Sequence, residues 1–238
     1  MNTSDQSLKK TARLTGLLYF LFAAIAIYGY MYVSPKIMVP GNIRATGVNM
    51  LANEFLFRTS IAGDIVTNIL FITVIILLHR IFRPVNEFMA GWMAWLAFVA
   101  IPVSFIGESL QLTALQVFKG KLLSSFSTAQ AQDIAATLLK TGNYAGQLIT
   151  FHWGLWLIPM GLLVYRSGFI PRILGILLLI NGIGYMISSI TFILFPDALT
   201  TVNKLVYPSY FIGEVPLIFW LLIKGTRQKK LFNKQTGG

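Results

Sequence analysis

Apolar residues fall in blocks long enough to cross a bilayer, separated by short polar intervals. A membrane-spanning helix needs roughly 20 mostly apolar residues. Residues 14–33 and 173–196 carry no Asp, Glu, Lys, Arg or His. Residues 59–78 carry only Asp64, 88–118 only Glu108, 141–165 only His152 and 205–223 only Glu214. The pattern predicts an all-α polytopic membrane protein with six transmembrane helices in one bundle. It divides the chain into an N-terminal tail (1–12), a membrane domain (13–225) and a basic C-terminal tail (226–238). The first block follows Lys9, Lys10 and Arg13 but is longer than a typical signal core. It ends in Tyr28, Tyr30, Met31 and Tyr32 rather than in small residues, so it reads as a retained anchor.

Two intervals predict short amphipathic helices at the outer surface. Pro40-Gly41-Asn42 forms a turn, and 43–57 can then be helical. Ser127-Thr128-Ala129-Gln130 fits a capping box, in which Ser and Gln each satisfy the other's backbone N–H. Ile134, Leu138 and Leu139 then share one side of a helix over 127–139.

Composition agrees. Of 238 residues, 55% are hydrophobic and 11% charged, against about 25% charged in soluble domains. Mean hydropathy is +0.70. The absence of cysteine removes disulfides, thiolate zinc sites and iron–sulfur clusters. His79 and His152 lie about half a bilayer apart, so they cannot face each other as bis-histidine haem ligands. The sequence names no cofactor and leaves it unknown whether one is bound.

The net charge of +11 does not point to nucleic acid, because no basic surface with interleaved aromatics is present. It fits the enrichment of Lys and Arg in cytoplasmic segments, where they also meet anionic membrane lipid. With both termini inside, the cytoplasmic segments hold 12 of the 19 basic residues (Lys9, Lys10, Arg13, Arg80, Arg83, Arg166, Arg172, Lys224, Arg227, Lys229, Lys230, Lys234). The longer outer segments hold the other 7: Lys36, Arg44, Arg58, Lys119, Lys121, Lys140 and Lys204. The expectation is a multi-pass protein of the cell's inner membrane with both termini cytoplasmic.

Ionisable groups inside a span cost roughly 2.5 to 3.5 kcal/mol each at the centre, so a chain that keeps several uses or pairs them. Asp64, Glu108, His152 and Glu214 sit on four different spans, between midplane and outer leaflet. Polar stripes accompany them: Ser60, Asp64 and Asn68; Ser104, Glu108 and Gln111; Tyr207, Tyr210 and Glu214; Asn143, Gln147 and Thr150. Such stripes must face the bundle interior or water. The cytoplasmic halves are nearly pure hydrocarbon, so any cavity should open outward. Arg58 is either the partner of a buried carboxylate or a lipid anchor.

Order and spacing also resemble a known group. Leu56-Phe57-Arg58 with Asp64 and Arg83-Pro84-Val85-Asn86 form one segment. His152 with Arg166-Ser167-Gly168-Phe169-Ile170-Pro171-Arg172-Ile173-Leu174-Gly175 form a second, and Gly213-Glu214 with Trp220-Leu221-Leu222 a third. Together they resemble the bacterial membrane family called domain of unknown function 4386, over roughly residues 10 to 225. The resemblance implies a multi-helix bacterial membrane protein and no activity. Arg58, Asp64, His152 and Glu214 fall in the matching segments; Glu108 does not.

Three readings of the polar set remain open. In the first, a transporter-like protein binds a cation, proton or small polar ligand through Asp64, Glu214 and Glu108, with Arg58, Asn68, Tyr210 and His152 around them. In the second, the set is structural glue in an accessory membrane protein. In the third, His152, Asp64 and Glu214 hold a metal and Glu108 acts as base in a lipid hydrolase. No motif with two metal ligands on one helix is present. The tetrapeptide Phe-Ile-Gly-Glu occurs at 105–108 and 211–214, but no period extends it into a repeat. Gly154 with Gly161, and Gly175 with Gly182, are each seven apart and predict helix-packing faces. A chain of this length would need copies of itself to frame a large translocation path, so a homo-oligomer is among the partners the sequence allows.

Overall fold

A computed structural model describes residues 3–226. Arg227, Lys229, Lys230 and Lys234 of the basic tail lie outside the described residues. Helix α1 (Thr3–Ile27) runs through a π-helical turn, Tyr28–Val33, into the one-turn α2 (Ser34–Ile37). Then come α3 (Ile43–Ala52), α4 (Glu54–Phe82), α5 (Glu87–Phe98), α6 (Ala100–Phe118), α7 (Thr128–Ser167), α8 (Arg172–Leu194) and α9 (Leu199–Ile223). No strand occurs among the described residues. Six stretches are long and apolar enough to span a membrane: Gln6–Ile37, Glu54–Phe82, Glu87–Phe118, Thr128–Ser167, Arg172–Leu194 and Pro196–Ile223. The protein is a multi-pass membrane protein.

Local signals set the boundaries. Asn42 and Asn86 cap α3 and α5 by accepting from the backbone N–H groups of Ala45 (3.0 Å) and Met89 (2.8 Å). The Ser127–Gln130 capping box forms and opens α7. Gly168, at φ 69°, ends α7 in the left-handed conformation that glycine adopts without cost.

Two expectations change. No separate outer helix exists over 127–139, because nothing interrupts hydrogen bonding before Gly142 and Gly146, and glycine alone costs only about 1 kcal/mol each. Helix α7 is therefore continuous for 40 residues, about 60 Å at 1.5 Å per residue. Its first turns gain packing when Ala135 buries against Ala114 and Val117. The helix expected over 43–57 stops at Ala52. Asn53 leaves helical geometry there, its amide donating to the Asn49 carbonyl at 3.0 Å, and Phe57 belongs to α4.

The spans close into a ring. Helix α1 packs on α4 and α9, α9 on α8, α8 on α7, α7 on α5 and α6, and α5 and α6 on α4. The short turns 83–86 and 168–171 mark one end of the bundle, the turn end; segments 38–42, 119–127 and 195–198 mark the opposite, loop end. The turn-end half is filled with hydrocarbon, including Leu78, Phe82, Met93, Met160, Leu178 and Leu221.

Glycines set the closest contacts. A Cβ on Gly154 would lie 2.4 Å from the Gly182 carbonyl oxygen, and one on Gly175 would lie 2.6 Å from that of Gly161. The pairs expected from sequence thus face each other and let the α7 and α8 backbones touch. Gly16 does the same for α1 against Leu222 of α9, at 2.3 Å. We expect Gly161→Leu to lower stability by about 1 to 3 kcal/mol through overpacking. Gly91→Ala, where no atom lies within 4 Å, should be neutral or slightly stabilising. Thermal unfolding of detergent-purified variants checks both.

Candidate functional site

The loop-end half of the ring is not filled. A cavity of about 640 Å³ lies between α1, α7, α8 and α9. Its mouth is formed by Tyr30, Met31, Asn143 and Tyr207, all exposed at the loop end. Its floor is Tyr19, Glu214 and Ile218, above the closed apolar core. The sequence-predicted stripes Tyr207-Tyr210-Glu214 and Asn143-Gln147-Thr150 both line it.

Glu214 is held from three sides. The Tyr19 hydroxyl donates to Oε2, and the Asn181 amide donates to Oε1 at 3.2 Å. The Tyr185 hydroxyl is a third partner. Tyr19 and Asn181 are fully buried, so the carboxylate is oriented by rigid groups. Gly213 makes this possible: a Cβ there would lie 2.4 Å from the Asn181 Cβ. Above the carboxylate, Tyr185 stacks on Tyr210 with ring centroids 4.0 Å apart, and Tyr207 follows at 5.4 Å from Tyr210. The wall is tied together by Ser188 to Asn203 (2.6 Å), Asn203 to Tyr207 (3.1 Å) and Ser189 to the Gln147 carbonyl (2.9 Å).

A second, smaller cavity of about 260 Å³ lies across α1. Ser60, Asp64 and Gln111 line it, and Ala26 and Tyr30 line both cavities. The π-helical turn, a feature frequent at functional sites, therefore stands between the two. Gly29 faces Asp64 there, its Cβ position 4.0 Å from Oδ1. Glu108 faces neither cavity. It is 6% exposed and accepts from Ser104 (2.9 Å) and Asn68 (3.4 Å), linking α4 to α6.

The remaining expected residues stand apart. Arg58 pairs with Glu54 at 2.9 Å, and Lys119 binds the same carboxylate at 2.6 Å. This is a surface cluster at the start of α4, not a partner for Asp64. His152 lines neither cavity; its Nδ1 and the Trp156 indole N–H are buried without a hydrogen-bond partner among the described residues. Asp64, His152 and Glu214 are not gathered together, and among the described residues no three His, Asp or Glu side chains are grouped to hold a metal ion.

The sequence reading missed Tyr19, Asn181, Tyr185 and Ser188. Span five carries no charged residue that would mark a polar stripe. Asn181, Tyr185 and Ser188 nonetheless follow i, i+4, i+7 spacing, the same signal that marked the other stripes. Tyr19 lies in a span without charged residues, so no charged neighbour marks it as part of a site.

The two Phe-Ile-Gly-Glu tetrapeptides differ in setting. Gly107 has open space around it, whereas Gly213 admits Asn181. We expect Gly213→Ala to cost about 1 to 3 kcal/mol, by overpacking and by breaking the Asn181–Glu214 bond. Gly107→Ala should stay within about 0.5 kcal/mol. Equal effects in thermal unfolding would contradict this arrangement.

Comparison with known proteins agrees on class. An uncharacterized protein from Archaeoglobus fulgidus is 27% identical over 172 residues, covering 71% of this chain and 85% of that protein. No solved structure matches. The family model for domain of unknown function 4386 (DUF4386) matches residues 14–225, which include every residue lining the large cavity. The chain belongs to this family.

Proposed function

We propose that this protein is a small transporter-like membrane protein whose cavity at Glu214 binds a cation, a proton or a small polar ligand. One observation carries the reading. Glu214 sits inside the span region on the floor of a cavity, yet its partners Tyr19, Asn181 and Tyr185 are all neutral donors. No Lys or Arg lines the cavity. Neutral donors orient a carboxylate but leave its net charge uncompensated, and an uncompensated charge at this depth is costly. A proton or a bound cation would supply the compensation.

Asp64, across α1 and also without a basic partner in its cavity, is the second group of the proposed site. Glu108 fits the structural reading instead, because its bonds link two helices away from both cavities. The metal-dependent hydrolase is not proposed, since its ligands do not converge. In this account the turn end is cytoplasmic, the cavity opens to the outer side of the cell's inner membrane, and both termini are inside.

Two measurements test the reading. Thermal unfolding across a panel of inorganic cations and organic amines should give a ligand-dependent rise in Tm that Glu214→Gln removes. The same scan across pH covers the proton; no dependence of Tm on pH or on any cation, or a dependence retained by the variant, would contradict it. Orientation is tested by single cysteines, since the chain has none of its own. A membrane-impermeant maleimide should label Lys121→Cys in intact cells and Arg83→Cys only after lysis. The reverse pattern would overturn the orientation.

A further inference from the structure

The lining of the large cavity narrows the ligand beyond "a cation". It holds one carboxylate, Glu214, and no Lys, Arg or His. Five tyrosines surround the same space: Tyr19, Tyr30, Tyr185, Tyr207 and Tyr210. Phe22, Ile27, Phe211 and Ile218 supply hydrocarbon between them. The volume, about 640 Å³, lies within the roughly 300 to 1,000 Å³ of sites for drug-sized molecules.

We infer that this cavity takes a lipophilic organic cation, with its charge directed to Glu214 and its apolar body against the tyrosine wall. The inference rests on the cation reading above and specifies its substrate class. Two features separate this class from its neighbours. A bare inorganic cation requires a shell of oxygen ligands at close range. Here Glu214 is the one carboxylate of the lining, and most of the remaining wall is carbon. A delocalised or carbon-shielded cation needs no such shell and gains from tyrosine faces. A neutral hydrophobe would fill the volume but leave the carboxylate at its floor without a counter-charge. An anion would meet that carboxylate with no basic group to offset it.

Radiolabelled tetraphenylphosphonium is the probe, measured by equilibrium dialysis against the detergent-purified full chain, with tetraphenylborate and sodium as competitors. The phosphonium should bind wild type saturably. Glu214→Gln should weaken it about thirtyfold or more, the scale for removing one partner of a buried charge pair. Glu214→Asp, which keeps the charge, should restore most of the binding. Tyr207→Leu at the mouth should weaken it about threefold, the scale of one cation–π contact, and serves if Glu214→Gln does not fold. Equal competition by tetraphenylborate would overturn the inference, because selection would then be for shape alone. Sodium-dependent stabilisation through Glu214 with no phosphonium binding would overturn the substrate class and leave the broader cation reading standing. Absence of phosphonium binding together with a Tm that responds to neither pH nor any cation would overturn the two together.

Discussion

The structure depends on how closely α8 approaches its two neighbours. Lipid offers helices no hydrophobic reason to associate with one another, so contact area and interhelical hydrogen bonds must hold the ring. Gly161 and Gly175, and Gly154 and Gly182, remove the side chains between α7 and α8. On the other face of α8, Gly184 meets the Ser209 side chain, and Gly213 of α9 meets Asn181. Only at this separation does the short Asn181 side chain reach Glu214. The glycine contacts that hold the bundle together thus also set the geometry of its polar site.

Filling the ring unevenly produces the functional asymmetry. Large apolar side chains close the turn-end half, while tyrosines and small polar residues leave the loop-end half open. Helix α9 carries Glu214 between two prolines, Pro208 and Pro216. Pro216 cannot donate to the Ile212 carbonyl, so the backbone beside Glu214 lacks one bond of the regular ladder. Backbone of this kind is tolerated at membrane depth where it is buried in protein or lines a cavity. Helix α1 carries a second irregularity, the π-helical turn between the two cavities, while Pro159 interrupts the ladder of α7 in the apolar half. The π-helical turn and Pro216 each lie beside a carboxylate that has no basic partner in its cavity.

Much of this was legible in the sequence. The six spans follow from hydropathy, and the glycine faces and polar stripes follow from helical spacing. Spacing within a helix says which residues share a face but not which helix that face meets. The four ionisable residues, similar in depth, therefore read as one layer. The ring order separates them: Glu214 and Asp64 fall on opposite sides of α1, Glu108 turns into the α4–α6 contact, and His152 faces neither cavity. Arg58 illustrates a second limit. Its partner, Glu54, is one turn away on its own helix, and the more distant Asp64 drew attention only because it lies inside the span.

The most direct test of the account is to see where a lipophilic cation sits. Tetraphenylarsonium carries an anomalous scatterer at its charge centre. In crystals of the full chain grown with it, the account predicts an anomalous peak in the large cavity, between Glu214 and the Tyr185–Tyr210 stack. A peak beside Asp64 alone, or only on the lipid-facing surface, would contradict the assignment of this cavity as the cation site.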